Sequence, residues 1–407
     1  MLSPSAPSFA TAGTDALSVL EAGGNISFAV PPMAGAPANV CAPVAGPVDM
    51  LRLSTLTRES ELVAAITPLL RAARDFDAAG VSADPFARVL INSENVPWLD
   101  ALDAPLRPEQ RRRPDLFATW APFWCGRTEE GRGPTGGLAS RALQLDGCAR
   151  EFYEAKVGVG ALTATDFGQL VDYHSRVPGF VRGMLFNARH FWLYLSRRNL
   201  PVSLVKSEWG APGSRALLRD FFDAAPEPPL LPLLRFLCRE LRVAPHPLSE
   251  ARTEPIDAEA RAGAFLGAGA SARVFCVRDA AAGALRALKV STTLSRSDLE
   301  YEFSSLQRAA AAGAPVVPVV ADSLRVLVDE RGYLCGGGFL LRDVCKSACV
   351  DSAARCAAAF ECLRVLHSCG FAHGDARLPN LLLRGSALLW IDMREAAVGG
   401  GDDSAAQ

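Results

Sequence analysis

At 407 residues, with 49% hydrophobic and 21% charged residues and a formal net charge of −2, the chain has a globular balance with room for two or three domains. That balance excludes a strongly basic nucleic-acid-packaging protein, and no stretch approaches the roughly 18 uncharged apolar residues of a membrane span. Eleven cysteines without a CxxC pair exclude a small disulfide scaffold and a structural zinc centre, and they fit a reducing, intracellular setting.

Residues 1–50 are rich in Ala, Pro, Ser and Gly, as in "VPPMAGAPANVCAPVAGPV", with few charges and no sustained period. This composition predicts a low-complexity segment, mostly disordered or loosely packed. The start also lacks a basic region followed by a clean apolar run, so no secretory leader is expected. A first domain is set at residues 51–245. It opens with "TRESELVAAITPLLRAARDF", where Leu62, Ile66, Leu69, Ala73 and Phe76 recur at helical spacing. Residues 101–206 carry 15 Lys/Arg against 10 Asp/Glu, including Arg111, Arg112 and Arg113 in one run. "REFYEAKVGV" reads as a strand, "ATDFGQLVDYHSRV" as a helix, and "RGMLFNARHFWLYLSRR" as a hairpin turning near Asn187.

Only four of the 42 cationic residues are lysines, namely Lys156, Lys206, Lys289 and Lys346. Lys156 stands two residues after Glu154, and alternation along a strand puts both on one face. Asp115 follows Pro114 and opens an apolar run 39 residues before Glu154. Two carboxylates and an amine on adjacent strands would bind Mg²⁺ through oxygen and lower the pKa of a bound water. A compact ammonium suits the orienting of that water better than a guanidinium. Gln169 and Tyr173, four apart, share a face of the following helix. The order Asp…ExK…QxxxY over residues 55–210 resembles the PD-(D/E)XK nuclease superfamily. That resemblance implies Asp115 and Glu154 as metal ligands, Lys156 as catalytic, Gln169 and Tyr173 as accessory, DNA as partner, and an acid from an N-terminal helix, for which Glu94 is the candidate.

The polar, proline-broken stretch "VAPHPLSEARTEPIDAEARAG" predicts a linker, set at 246–261, ahead of a second domain at 262–407. "LGAGASARVF" predicts a glycine-turned hairpin with Gly267 and Gly269 in GxG spacing, and "ALKV" places Lys289 22 residues after Gly267. The helix "SRSDLEYEFSSLQRAAAAG" offers Glu302, and "AHGDARLPN" offers Asp375, Arg377 and Asn380. A last strand, "ALLWIDM", ends on Asp392. Each part suits phosphoryl transfer: a glycine loop for phosphates, a lysine held by a glutamate, an aspartate base, and Asn and Asp for Mg²⁺.

This order resembles the protein-kinase-like superfamily over residues 262–396. It implies ATP bound by Gly267, Gly269, Val274, Ala287, Lys289 and Glu302, with Asp375 as catalytic base, Arg377 near the transferred phosphate, and Asn380 and Asp392 as Mg²⁺ ligands. Three departures stand out: Ala272 replaces the third loop glycine, "IDM" stands for DFG, and the chain stops at Gln407, fifteen residues past Asp392. A truncated C-lobe is therefore expected.

The fold class expected is α/β and α+β, a restriction-endonuclease-like domain plus a protein-kinase-like domain. The pairing resembles Crinkler-type effectors, which implies action in a nucleus and DNA damage. The function expected is a Mg²⁺-ATP-dependent phosphotransferase with a protein phospho-acceptor, fused to a Mg²⁺-dependent DNA-binding, nuclease-like domain. The alternative is a small-molecule phosphotransferase or pseudokinase whose N-terminal domain binds DNA without cleaving it.

Overall fold

The aromatic and β-branched runs "LFATW", "EFYEA", "FVRGMLF" and "HFWLYLSR" form strands, as side chains that fill a pleated, buried surface should. They lie in a computed structural model that describes residues 9–23, 26–28, 56–74, 84–92, 114–123, 151–175, 180–197, 200–209, 211, 213–223, 227–228, 230–246, 264–269, 271–281, 283–348 and 350–393. The architecture is mixed α/β, with helices and several sheets, in two compact units: residues 1–228 with 248–250, and residues 229–247 with 251–407. Among the described residues no helix is long and apolar enough to cross a membrane.

The first unit contains α1 (Phe9–Ala22), β1 (Ile26–Phe28), α2 (Glu59–Arg74), β2 (Arg88–Asn92), β3 (Leu116–Trp120), β4 (Glu151–Ala155), α3 (Ala164–Ser175), β5 (Phe180–Phe186), β6 (His190–Arg197), β7 (Leu200–Glu208) and α4 (Ser214–Asp223). Among the described residues its sheet has the order β1-β7-β6-β5-β4-β3-β2. β2, β3 and β4 run antiparallel, β4 and β5 run parallel across the α3 connection, and β5 to β7 are antiparallel again. A parallel pair needs such a crossover, which is why a helix separates β4 from β5.

Every residue of β3 and β4 is buried, so both sheet faces are covered. On one face Leu116, Ala118, Tyr153, Met184 and Phe186 meet Leu62, Val63, Ile66 and Leu70 of α2. On the other, Phe167 of α3 packs edge-on against Trp192 and Tyr194. The helix expected from Leu62 and Ile66 thus forms and buries both. The side chains of Leu69 and Ala73, and all of Phe76, lie outside the described residues, as do Glu94 and Arg111 to Arg113.

The expectation of disorder over residues 1–50 is corrected for part of that segment. α1 packs along α3, and β1 pairs in parallel with β7 from Ile26 opposite Leu204 to Phe28 opposite Lys206. Small residues here serve close packing. A Cβ on Gly13 would stand 1.8 Å from the carbonyl oxygen of Ala164, so the two backbones touch where side chains would hold them apart.

The second unit begins earlier than the proline breaks suggest. It contains α5 (Leu230–Leu241), β8 (Val243–Pro245), β9 (Phe265–Ala268), β10 (Arg273–Asp279), β11 (Leu285–Ser291), α6 (Arg296–Ala311), β12 (Arg325–Val328), β13 (Leu334–Leu341), β14 (Lys346–Ser347), α7 (Ala353–Ser368), β15 (Leu381–Arg384) and β16 (Ala387–Trp390). The main sheet is antiparallel, β12-β13-β11-β10, and the outer edge of β10 is shared by β9 and β8.

The sequence boundary at residue 245 left α5 and β8 in the first domain. The structure instead groups both with the second unit, because β8 pairs with β10 and α5 lies on the glycine run of β13. A Cβ on Gly336 would meet Leu233 at 2.6 Å, and one on Gly338 would meet Leu237 at 2.9 Å. Gly337 faces the other way, toward Leu299 of α6. Three glycines therefore let a helix approach each face of one strand. Residues 247–263, most of the expected linker, lie outside the described residues.

Candidate functional site

Two clusters of charged side chains form, one in each unit. In the first unit the register pairs Leu116 with Tyr153, which carries on to set Asp115 opposite Glu154. The 39-residue separation is thus bridged by two antiparallel neighbours. Asp115 Oδ2 accepts the main-chain N–H of Ala155 at 2.6 Å, which fixes the carboxylate beside β4. Lys156 Nζ donates to Glu154 Oε1 at 2.7 Å and reaches Glu59 Oε1 at 3.4 Å. Glu59 lies in the first turn of α2, where carboxylates favour the helix dipole.

Glu154 is 2% exposed, and its Oε2 is buried without a hydrogen-bond partner. Burial, and then the Asp115 charge, raise its pKa to about 8 against the opposing pull of Lys156. The Lys156 amine is held above its ordinary value, since Glu154, Glu59 and Asp115 together outweigh the lowering by burial. Tyr173 accepts a hydrogen bond from Gln169 Nε2 at 2.6 Å, so the two residues meet as their spacing predicts. Burial, followed by the Glu154 charge, pushes the Tyr173 phenol well above its ordinary value.

Asp115, Glu154, Lys156, Gln169 and Tyr173 therefore gather at one end of β4, with Glu59 added. Glu94, the helix acid expected from the sequence, lies outside the described residues, and Glu59, which reaches Lys156, is not among the residues the sequence singles out. Its only signal was "RESEL" at the head of the one strongly periodic helix ahead of the strands.

Among the described residues no group of three or more His, Cys, Asp or Glu side chains lies close enough to hold a metal by itself. The donor set is two facing carboxylates. This suits Mg²⁺, which keeps several waters and takes further oxygens from phosphate. The orphaned Glu154 oxygen and its raised pKa fit a site that would accept a cation.

In the second unit, β10 pairs Val274 with Gly267 on one side and with Lys289 on the other, so the three share one sheet face. Ala287, two before Lys289 on β11, faces the same way. Lys289 is 8% exposed and Glu302 fully buried, and the two form a direct ion pair. α6 carries Glu302 to that point because a capping box fixes its start. Ser295 accepts from Asp298 N, and Asp298 accepts from Ser295 N. Lys289 Nζ also reaches Asp392 Oδ1 at 3.4 Å, which draws together residues 103 apart.

Asp392 adopts φ 64°, a left-handed conformation that non-glycine residues seldom keep without support. Support comes from its neighbour Ile391, whose N–H bonds Asn380 O at 3.0 Å and whose carbonyl accepts from His373 Nε2 at 2.8 Å. His373 Nδ1 accepts the N–H of Asp375 at 3.2 Å, and burial holds the imidazole below its ordinary pKa, consistent with a neutral ring. Asn380 Nδ2 donates to Asp375 O at 2.9 Å and Oδ2 at 3.0 Å, while Arg377 Nε pairs with Asp375 Oδ2 at 2.9 Å. Asn380 spends its amide nitrogen on Asp375, which leaves its carbonyl oxygen as the side chain's acceptor atom.

No protein-family model matches the chain, and a search of curated proteins finds no match.

Proposed function

We propose that the second unit is a Mg²⁺-ATP-dependent phosphotransferase of protein-kinase-like type. The observation that carries this reading is the buried Lys289 ammonium, paired with Glu302 of α6 and within 3.4 Å of Asp392. In this reading Lys289 meets the nucleotide phosphates and Glu302 keeps its amine aimed there. Asp375, oriented by Asn380, accepts the proton of the attacking hydroxyl. Arg377, exposed beside Asp375, stabilises charge on the transferred phosphoryl group. Asn380 and Asp392 would hold Mg²⁺, which supplies charge neutralisation across the phosphates when bound. Titration of the full chain with ATP in the presence of Mg²⁺ tests the reading. Wild type should bind and Lys289→Ala should not. Equal binding by both would reject it.

A second reading concerns the first unit. Asp115, Glu154 and Lys156 converge across a 39-residue gap, and Glu154 keeps a buried oxygen without a hydrogen-bond partner. This supports a PD-(D/E)XK-like module that binds DNA and cleaves its phosphodiesters. Asp115 and Glu154 would hold Mg²⁺, which supplies Lewis acidity and a water of lowered pKa. Lys156 would orient the attacking water and stabilise the negative charge developing on the phosphodiester, with Glu59 and Glu154 holding its amine. Supercoiled plasmid incubated with Mg²⁺ should be nicked by wild type and left intact by Lys156→Ala; equal nicking would reject the assignment.

A further inference from the structure

We infer that Asn187, in the β5–β6 turn, is a positioning residue of the first unit's site: it tethers the loop that leaves β4, and through that loop it fixes Lys156 and the start of α3. This deepens the PD-(D/E)XK-like reading of the first unit and rests on it.

β4 ends at Ala155, opposite Phe186 of β5, and the chain then runs through Lys156 and residues 157–163 before α3 begins at Ala164. Lys156 thus stands at one end of this loop, and the helix carrying the Gln169–Tyr173 pair starts at the other. Apolar burial does little to hold the middle of the loop. Val157 and Val159 are each 47% exposed, and a Cβ on Gly158 or Gly160 would meet nothing within 4 Å. Gly158 adopts φ 106°, a turn that glycine makes at no steric cost.

Hydrogen bonds to the β5–β6 turn hold the loop instead, and three consecutive residues supply them. Phe186 O accepts the Lys156 N–H at 2.8 Å, Asn187 Nδ2 donates to Gly160 O at 2.7 Å, and the Ala188 N–H donates to Gly158 O at 3.2 Å. At its far end the loop is fixed by a capping box, in which Thr163 Oγ1 accepts the Asp166 N–H at 3.3 Å and Asp166 Oδ2 accepts the Thr163 N–H at 2.9 Å.

Asn187 is 3% exposed, and its side chain does two separate things. Oδ1 accepts the N–H groups of Arg189 at 2.9 Å and His190 at 2.7 Å, the local bonds that shape the turn. An aspartate would make these equally well. Nδ2, which an aspartate lacks, is the atom that reaches Gly160. The anchor itself is held on its main chain, where the Asn187 N–H donates to His190 O at 2.9 Å and the Asn187 carbonyl accepts from Trp209 Nε1 at 2.8 Å. The turn alone therefore does not call for an amide at this position; the tether to the lysine loop does.

The test separates the tether from the turn. Asn187→Asp keeps the turn acceptor and loses the donor, and Asn187→Ser does the same with a shorter, neutral side chain. Each is compared with wild type, as the full chain, in Mg²⁺-dependent nicking of supercoiled plasmid and in hydrogen exchange without DNA. Both variants should lower the limiting nicking rate about tenfold or more, as misplaced reacting groups do, with the half-saturating DNA concentration within about twofold. Amides 157–162 should exchange faster, while those of β5 and β6 stay as slow as in wild type. If wild type nicks and either variant with β5 and β6 intact nicks at the wild-type rate, the positioning role is overturned while the nuclease reading stands. Faster exchange throughout β5 and β6 in both variants would overturn it equally, since Asn187 would then serve the hairpin alone. If wild type does not nick, both fall together.

Discussion

Both units set a lysine against a buried glutamate, and they assemble the pair in opposite ways. In the first, Glu154 and Lys156 come from one strand two residues apart, and Asp115 faces the glutamate across the sheet. The result is a carboxyl group whose pKa rises to about 8, through burial and then the Asp115 charge. In the second, strand and helix each contribute one partner, and the helix must be capped and docked before they meet. Like charge beside the glutamate makes a proton-responsive carboxyl, whereas a glutamate brought in by a separate helix holds the lysine in position.

The largest contrast should appear in stability. Lys289→Ala strips the fully buried Glu302 carboxylate of its ammonium and should cost about 3–5 kcal/mol in urea unfolding. Lys156→Ala should cost clearly less, since Glu154 can take up a proton when its cation is gone. Equal losses would erase the distinction.

Gly13→Ala comes next. The added methyl meets the Ala164 carbonyl and should cost about 1–3 kcal/mol, read in the first unit's unfolding alone. No loss would remove α1 from that unit's packing.

The pH dependence should follow the first unit. A group with a raised pKa in the folded state holds a proton that the unfolded chain has released. Glu154 therefore makes stability fall as pH climbs from its unfolded value near 4.5 to about 8, and Glu154→Gln should flatten that slope. Mg²⁺ needs the carboxylate ionised, so nicking should increase by up to about tenfold per pH unit below 8 and level off above it. A flat profile from pH 6 to 8 would contradict the raised pKa.

The smallest effect should be that of Arg377→Ala on folding, within about 0.5 kcal/mol, because that side chain is 57% exposed. A larger loss by thermal unfolding would make it structural.

Much of both sites is legible in the sequence because their motifs are short-range. ExK fixes Glu154 and Lys156 on one face of any strand, and QxxxY fixes Gln169 and Tyr173 on one face of any helix. The meeting of Asp115 with Glu154 is not legible, since pairing register decides it and a 39-residue separation carries no register. Glu59 escapes notice because an acid in a first helical turn is an ordinary start signal, and only the docking of α2 brings it to Lys156.

Composition misleads at α1, where small residues that suggest disorder instead permit backbone contact at Gly13. It misleads again at the domain border. "PEPP" at 226–229 and "HP" at 246–247 punctuate equally well, and only the leucines of α5 on the glycines of β13 decide between them.

The most direct test of the account follows the γ-phosphate. Full-length chain, Mg²⁺ and γ-labelled ATP are incubated with the protein itself and with generic protein substrates, using wild type, Asp375→Ala and Lys156→Ala. The account predicts label transfer by wild type and by Lys156→Ala, and a loss of about a thousandfold in Asp375→Ala with ATP binding retained. Transfer by Asp375→Ala at the wild-type rate, or no transfer by wild type to any acceptor, would contradict it.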